Sequence, residues 1–258
     1  MHRGHTERRN CRQASGGGFS SLRTSLDADP NNVIALGVLS VRYWLPVALG
    51  RSADPAADLK RGEELVSQAL ALDPSFAPPH LSKAVILSIQ GRNDEAITEN
   101  ERAIALDPAF VEAYVNMGFD YRNLGQFEKS LEFFDKALRL SPHDPDPVFW
   151  YEGKADSHFA LKQYDRAIEW ARRSIAISPN SNPIAHGDLI AALALTGHEA
   201  EAQEALQRYL ALPPSGLRTI VAWKAYRARV TNEHTDPRYL DYWDRLIEGL
   251  RKAGMPEE

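Results

Sequence analysis

The segment "VEAYVNMGFDYRNLGQFEKSLEFFDKALRLSP", Val111 to Pro142, decides the architecture of this chain. From Ala113 to Leu124, residues Tyr114, Met117, Gly118, Tyr121 and Leu124 recur at helical spacing and share one face. Gly125 interrupts the pattern where a helix end calls for positive φ, a conformation cheap only for glycine. Phe127, Ser130, Leu131, Phe134, Ala137, Leu138 and Leu140 then give a second apolar face, which Ser141-Pro142 terminates. The segment therefore predicts a helix, a tight turn and a second helix.

The same unit recurs along the chain. "LVSQALALDP" (65–74), "ENERAIALDP" (99–108), "FFDKALRLSP" (133–142), "ARRSIAISPN" (171–180) and "LQRYLALPPS" (206–215) align on one another. The closing prolines fall at Pro30, Pro74, Pro108, Pro142, Pro179 and Pro214, at spacings of 44, 34, 34, 37 and 35 residues. A second landmark stands 17 residues before a closing proline, at Gly91, Gly125, Lys162 and Gly197. The constant offset means that insertions fall in or before the first helix of a unit. Small residues recur where helices must approach closely: Ala84, Gly118 and Ala155 on first helices, then Gly62, Ala96, Ser130, Ala167 and Ala202 on second ones.

These residues resemble the tetratricopeptide repeat, whose signature here stands as Tyr114, Met117-Gly118, Tyr121, Gly125, Ser130, Phe134, Ala137 and Pro142. The resemblance covers about 33 to 214 and implies an all-α fold, a right-handed TPR alpha-alpha superhelix, or solenoid. Five repeats are expected, at 33–74, 77–108, 111–142, 145–179 and 182–214. A half repeat, "LRTSLDADP", precedes them within a solenoid of 21–214, and residues 1–20 form a disordered tail rich in Arg, Ser and Gly. Beyond it, 215–258 supplies two C-terminal capping helices. Trp223, Tyr226, Leu240, Trp243, Leu246, Ile247 and Leu250 are expected to cover the open end of the stack.

Individual copies depart from the pattern. Lys162 replaces the turn glycine, and Tyr209 replaces a small residue where a different element should pack. The first repeat carries an insertion around "LPVALGRSADPAA"; its Pro46 and Pro55 predict an elongated or broken first helix followed by a loop. "HDPDP" (143–147) lengthens the junction before the fourth repeat, its prolines serving as punctuation between repeats.

Bulk properties exclude several function classes. The net charge of −5 comes from 30 basic and 35 acidic residues that are interspersed, and no predicted helix carries the basic stripe of a nucleic-acid binder. No apolar run approaches the roughly 20 residues that span a bilayer, so no membrane contact is expected. The single cysteine, Cys11, permits no internal disulfide or thiolate cluster, which fits a cytoplasmic location.

The chemistry-bearing residues form no catalytic constellation. The eight histidines show no HExxH spacing, and no phosphate-binding glycine loop or GxSxG is present. His80 and His186 occupy the register of Tyr114 and Tyr151, which predicts a packing role between helices. Paired acids such as Glu63-Glu64 and Asp94-Glu95 stand near starts of second helices, where they favour the helix dipole. No enzyme activity, metal or cofactor is expected.

The resemblance implies instead a concave groove on the first helices that binds a protein or peptide partner. Carried over position by position, it presents Leu81, Val85 and Ser88, then Glu112, Val115, Asn116, Phe119, Arg122 and Asn123. Phe149, Glu152, Asp156 and Phe159 follow in the fourth repeat and Asp188 in the fifth. The lysines of the carboxylate clamp in chaperone-binding relatives are missing. The mixed apolar and acidic lining suits a partner with apolar anchors and some positive charge, and the N-terminal edge offers a route to a homodimer.

Three phrases are similar to the C-terminal repeat regions of bacterial class III adenylate/guanylate cyclases: "LRLSPHDPD", "QYDRAIEWARRSIAISPN" and "IEGLRKAGMPEE". The likeness covers most of 20–258 but includes nothing that matches the cyclase's paired metal-binding aspartates. It implies a lineage in signalling and a scaffold that acts as a regulatory or sensory module. The alternative it raises is a truncated or detached tail of such a cyclase.

Overall fold

The computed structural model describes residues 29–180, 182–213, 217–233 and 235–258. The expected tail and most of the half repeat lie outside them. Twelve helices are described, with no strand among the described residues. In chain order they are α1 (Val33–Ala48), α2 (Pro55–Leu72), α3 (Ala77–Ile89), α4 (Asn93–Leu106), α5 (Val111–Asn123) and α6 (Phe127–Leu140). Then follow α7 (Val148–Ala160), α8 (Tyr164–Ile177), α9 (Pro183–Leu195), α10 (Glu199–Ala211), α11 (Ile220–Val230) and α12 (Pro237–Lys252). The chain divides into two compact units, one ending at Ala113 and the other running from Tyr114 to Glu258.

One turn closes helix after helix. Gly91, Gly125 and Gly197 have φ of 77°, 68° and 82°, and Lys162 adopts 60°, the one positive φ at a non-glycine among the described residues. In each case the next residue donates its N–H to the carbonyl five positions back: Arg92 to Leu87, Gln126 to Tyr121, Gln163 to His158 and His198 to Leu193, all at 2.9 Å. This satisfies a carbonyl that the helix end would otherwise leave unpaired, and it sets the return of the second helix. The turn geometry, not glycine itself, is what the repeat conserves within this chain.

In the first unit α1 pairs with α2 and α3 with α4. Asn32 caps α1 by accepting from the Ala35 N–H at 3.0 Å. Pro46 stands inside α1, so of the two outcomes expected the elongated helix is found and the broken one is not. The proline falls in the last turn, and Gly50, with φ of 66°, reverses the chain soon afterwards. A loop follows, and Asp54 caps α2 with Pro55 as its first residue. Leu36, Leu65 and Ala69 bury one seam, while Ala77, Ala103 and Ala113 bury another against Leu81, Ile104 and Phe110. His80 takes the packing role predicted for it: its ring nitrogens lie 2.7 Å from Glu99 Oε2 and 3.0 Å from the Pro74 carbonyl. Glu99 also accepts from Lys83 at 2.8 Å and Arg102 at 2.7 Å, so this buried carboxylate has three nitrogen partners.

In the second unit α5 to α10 form three hairpins whose approach is set by missing side chains. A Cβ on Gly118 of α5 would lie 2.8 Å from the Phe134 ring, and one on Gly153 of α7 would intrude on it further. Phe134 is wholly buried, edge-on to Phe119 at 5.1 Å between ring centroids. His186 packs between helices as expected: its Nε2 lies 2.9 Å from the Pro179 carbonyl and its ring packs on Tyr209. Tyr209 reaches past the last hairpin and donates its hydroxyl to the Leu217 carbonyl at 2.8 Å. That bond explains the large residue at a small-residue position.

Replacing Lys162 with glycine should raise stability by up to about 1 kcal/mol, because the left-handed turn is kept without its Cβ penalty. Gly153→Ala should lower it by about 1–3 kcal/mol through overpacking on Phe134. Chemical denaturation of the two variants beside wild type checks both signs.

Candidate functional site

The row of first helices in the second unit is where sequence places most of the groove residues. There the chain's own last helix lies. Asp236 caps α12 by accepting from the Arg238 N–H at 2.7 Å, with Pro237 as the first helical residue. From this start Tyr239, Tyr242, Trp243, Leu246, Ile247 and Leu250 recur at helical spacing, and all six are buried. They do not only close the final hairpin. α12 packs along α9 and touches α7, and its first residues reach the α5–α6 turn. Arg238 donates to Glu128 at 3.0 Å and lies over the Phe127 ring, while Asp236 sits directly against Gly125. The capping residues expected to cover an open end pack on the last hairpin, and through α12 they cover the groove face as well.

Two devices lock this placement. At Gly249 the helix comes so close to α9 that a Cβ would lie 2.7 Å from the Ala191 side chain. Trp223 of α11 fills the equivalent gap over Gly187. Arg245 then binds two carbonyls at the end of α7, that of Phe159 already accepting from the Lys162 N–H at 2.9 Å. It donates to Phe159 O at 3.0 Å, Ala160 O at 2.7 Å and the Tyr164 hydroxyl at 3.1 Å. A cation at a helix C-terminus is favourable on both hydrogen-bonding and dipole grounds.

Beneath α12 lies a polar cluster. Glu152 and Asp156 come from α7, Asp188 from α9 and Arg122 from α5. Asp156 Oδ2 accepts from Arg122, whose guanidinium also lies 4.9 Å from the Phe119 ring and 5.7 Å from the Tyr239 ring. The Tyr242 hydroxyl donates to Asp188 Oδ1 at 3.1 Å. Burial pushes the Glu152 carboxyl up to about 8, with the Asp156 charge adding to it. The same two causes raise Asp188 well above the carboxylate range. Burial works against the charge on Arg122, but the surrounding acidic groups, Asp156 among them, raise its pKa on balance. Desolvation likewise raises Tyr239 and Tyr242, which stay protonated.

The structure thus sorts the sequence-predicted residues. In the first unit Leu81, Val85, Ser88 and Glu112 are half-buried, with Leu81 packed into the α3–α4 seam and Ser88 donating to Ala84 O. In the second unit Glu152, Asp156, Phe159 and Asp188 are buried, Phe159 edge-on to Tyr242 at 5.6 Å and to Tyr164 at 5.2 Å. Arg122 and Phe119 are half-buried beside them, and Asn123 accepts from Arg122 at 3.0 Å. Val115 and Asn116 are half-buried, whereas Phe149 is 49% exposed. Tyr239, Tyr242 and Arg245 are the contributors that sequence reasoning missed. The available signal was Arg245 itself, an arginine set within the apolar stripe of α12.

Residues 110–180 match a tetratricopeptide repeat family model, and residues 86–119 match a second model described as TPR repeat. Human protein O-mannosyl-transferase TMTC1 is 27% identical over 120 residues, 45% of this chain and 13% of that protein. Hsp70-Hsp90 organizing protein 3 of Arabidopsis thaliana is 25% identical over 130 residues, 50% of this chain and 23% of that one. The chain spans well under a third of the length of such relatives. Among solved structures, PilF of Pseudomonas aeruginosa superposes with a TM-score of 0.59 at 16% identity, covering 84% of this chain and 95% of that one. PilW, a type IV pilus biogenesis factor, gives 0.60 at 21% identity, covering 84% and 91%. Residues 86–180 thus match tetratricopeptide repeat models, and the described residues share the helical-hairpin fold of these solved structures. Among the described residues no group of three or more His, Cys, Asp or Glu is placed to hold a metal ion, and no helix is long and apolar enough to cross a membrane.

Arg245→Ala should lower stability by about 2–3 kcal/mol, since it strips charge-assisted bonds from buried carbonyls. Arg208→Ala, which removes only an exposed ion pair with Glu204, should leave the midpoint unchanged. Urea denaturation followed by tryptophan fluorescence separates the two.

Proposed function

We propose that this chain is a non-catalytic protein-interaction scaffold of the cytoplasm, which holds a protein or peptide partner on its first helices. One observation carries the reading: Phe149, at the head of α7, is a large aromatic left 49% exposed, and the repeat register assigns it to the same groove as Val115 and Asn116 of α5. Burying an aromatic of this kind on a partner is a common source of binding energy. Relatives named for organizing Hsp70 and Hsp90, and for a subunit of the anaphase-promoting complex, are named for work with other proteins. The finer reading is a regulatory or sensory module, resting on the likeness of three phrases to cyclase tails.

Partner capture from a lysate should be lost in a Val115→Asp, Phe149→Asp double variant that keeps the wild-type unfolding midpoint; unchanged partners would sink the assignment of this face. Phe159 is unsuitable for the same purpose, because an aspartate in so buried a site would unfold the unit. Purified protein given ATP and Mn²⁺ should yield no cyclic AMP, and sustained turnover would overturn the non-catalytic reading.

A further inference from the structure

The polar cluster under α12 does not balance as a set of ionised groups. Three carboxyls, Glu152, Asp156 and Asp188, are respectively 9%, 1% and 0% exposed, and among the described residues one cation, Arg122, opposes them. The other titratable groups that face the cluster are Tyr239 and Tyr242 from α12 and Tyr226 from α11, all protonated at neutral pH. Fully ionised, the site would hold two uncompensated negative charges out of water, at a cost far above the net strength of the contacts around it. The bonding pattern shows where a proton goes. Asp156 Oδ2 faces Arg122 and Asp188 Oδ1 faces the Tyr242 hydroxyl, but Asp156 Oδ1 and Asp188 Oδ2 are buried with no donor among the described residues. The two aspartates are hydrogen-bond neighbours, so a proton on Asp188 satisfies both orphan oxygens at once.

We propose that α12 is a proton-held lid: its seating takes up protons on the carboxyl groups beneath it, and raising the pH through the neutral range opens that face of the second unit. This deepens the scaffold reading, since the face that opens belongs to the row of first helices proposed to take a partner.

The sign follows from linkage. With α12 lifted, Glu152 and Asp188 regain water and ordinary carboxylate behaviour. With α12 seated, Glu152 is pushed up to about 8 and Asp188 is raised as well. The seated form therefore binds more protons than the open form from about pH 4.5 up to about pH 8. Across that window the opening equilibrium rises about tenfold per pH unit for each proton released, and the Glu152 contribution levels off above it. α12 lies outside the repeats, so it opens as a local unit without melting the hairpins. The first unit supplies an internal contrast. Its buried carboxylate, Glu99, meets His80, Lys83 and Arg102, and these partners hold it below the usual range despite the opposing effect of burial. No proton change at Glu99 is expected between pH 5.5 and 7.5.

Hydrogen exchange of the full chain at pH 5.5, 6.5 and 7.5, corrected for intrinsic exchange, tests the proposal. The opening constant of α12 amides should rise at least tenfold per pH unit, while α2 and α8 stay level. In Glu152→Gln, Asp188→Asn the asparagine can donate to Asp156 and the slope should vanish, with α12 protected at every pH. Protection of α12 that is flat with pH, that falls in step with α8, or that keeps its slope in the variant overturns the lid. If circular dichroism shows the double variant unfolded, Glu152→Gln alone must remove about tenfold per pH unit from the wild-type slope. The measurement needs no partner, so its failure is distinct from failure of partner capture.

Discussion

The second unit depends on one contact repeated in three forms: an aromatic or a helix backbone pressed against a position that has no side chain. Phe134 lies against Gly118 and Gly153, Trp223 against Gly187, and α9 against Gly249 of α12. Each removes a Cβ so that two helices close to a distance that any larger residue would prevent. The first contact joins successive hairpins, the second brings α11 onto the last of them, and the third lays α12 on α9. Protein interiors pack at crystal-like density, so these absences are as specifying as any side chain.

Once α12 is in place, chemistry follows that the repeats alone would not produce. Groove positions that would be solvated in an open array become a dry, acid-rich layer. Arg122 is turned from a surface cation into the counter-ion of that layer, stacked between Phe119 and Tyr239. The first unit handles a buried acid in the opposite way, surrounding Glu99 with donors. The same type of side chain is thus a structural anchor in one unit and a poorly matched charge in the other. The difference lies in the number of cations supplied.

Local rules were legible in the sequence. The positive-φ turns at Gly91, Gly125 and Gly197 announce themselves through glycine, and Lys162 is found by register alone because the hydrogen-bonded turn is the same. His80 and His186 were legible as packing residues, since they stand in the register of tyrosines and find a neighbouring carbonyl each. The sequence left open whether the first helix is elongated or broken at Pro46, because the effect of a proline depends on its distance from the helix end. The seat of α12 was not legible. Its apolar stripe fits any apolar strip, and what selects the true one is backbone: the carbonyls of Phe159 and Ala160 that Arg245 caps. Glu152, Asp156 and Asp188 were found as a row, but their burial is a property of that distant helix.

Arrays of helical hairpins ordinarily evolve by copying or losing whole units, because each touches only its neighbours. The brace from Arg238 to Glu128 spans 110 residues and encloses the last two hairpins. A hairpin duplicated inside that span would pull Asp188 away from Asp156 or strand Arg238 from its acid. A change in repeat number before Glu128 leaves these contacts untouched, whereas one behind it has to rebuild them.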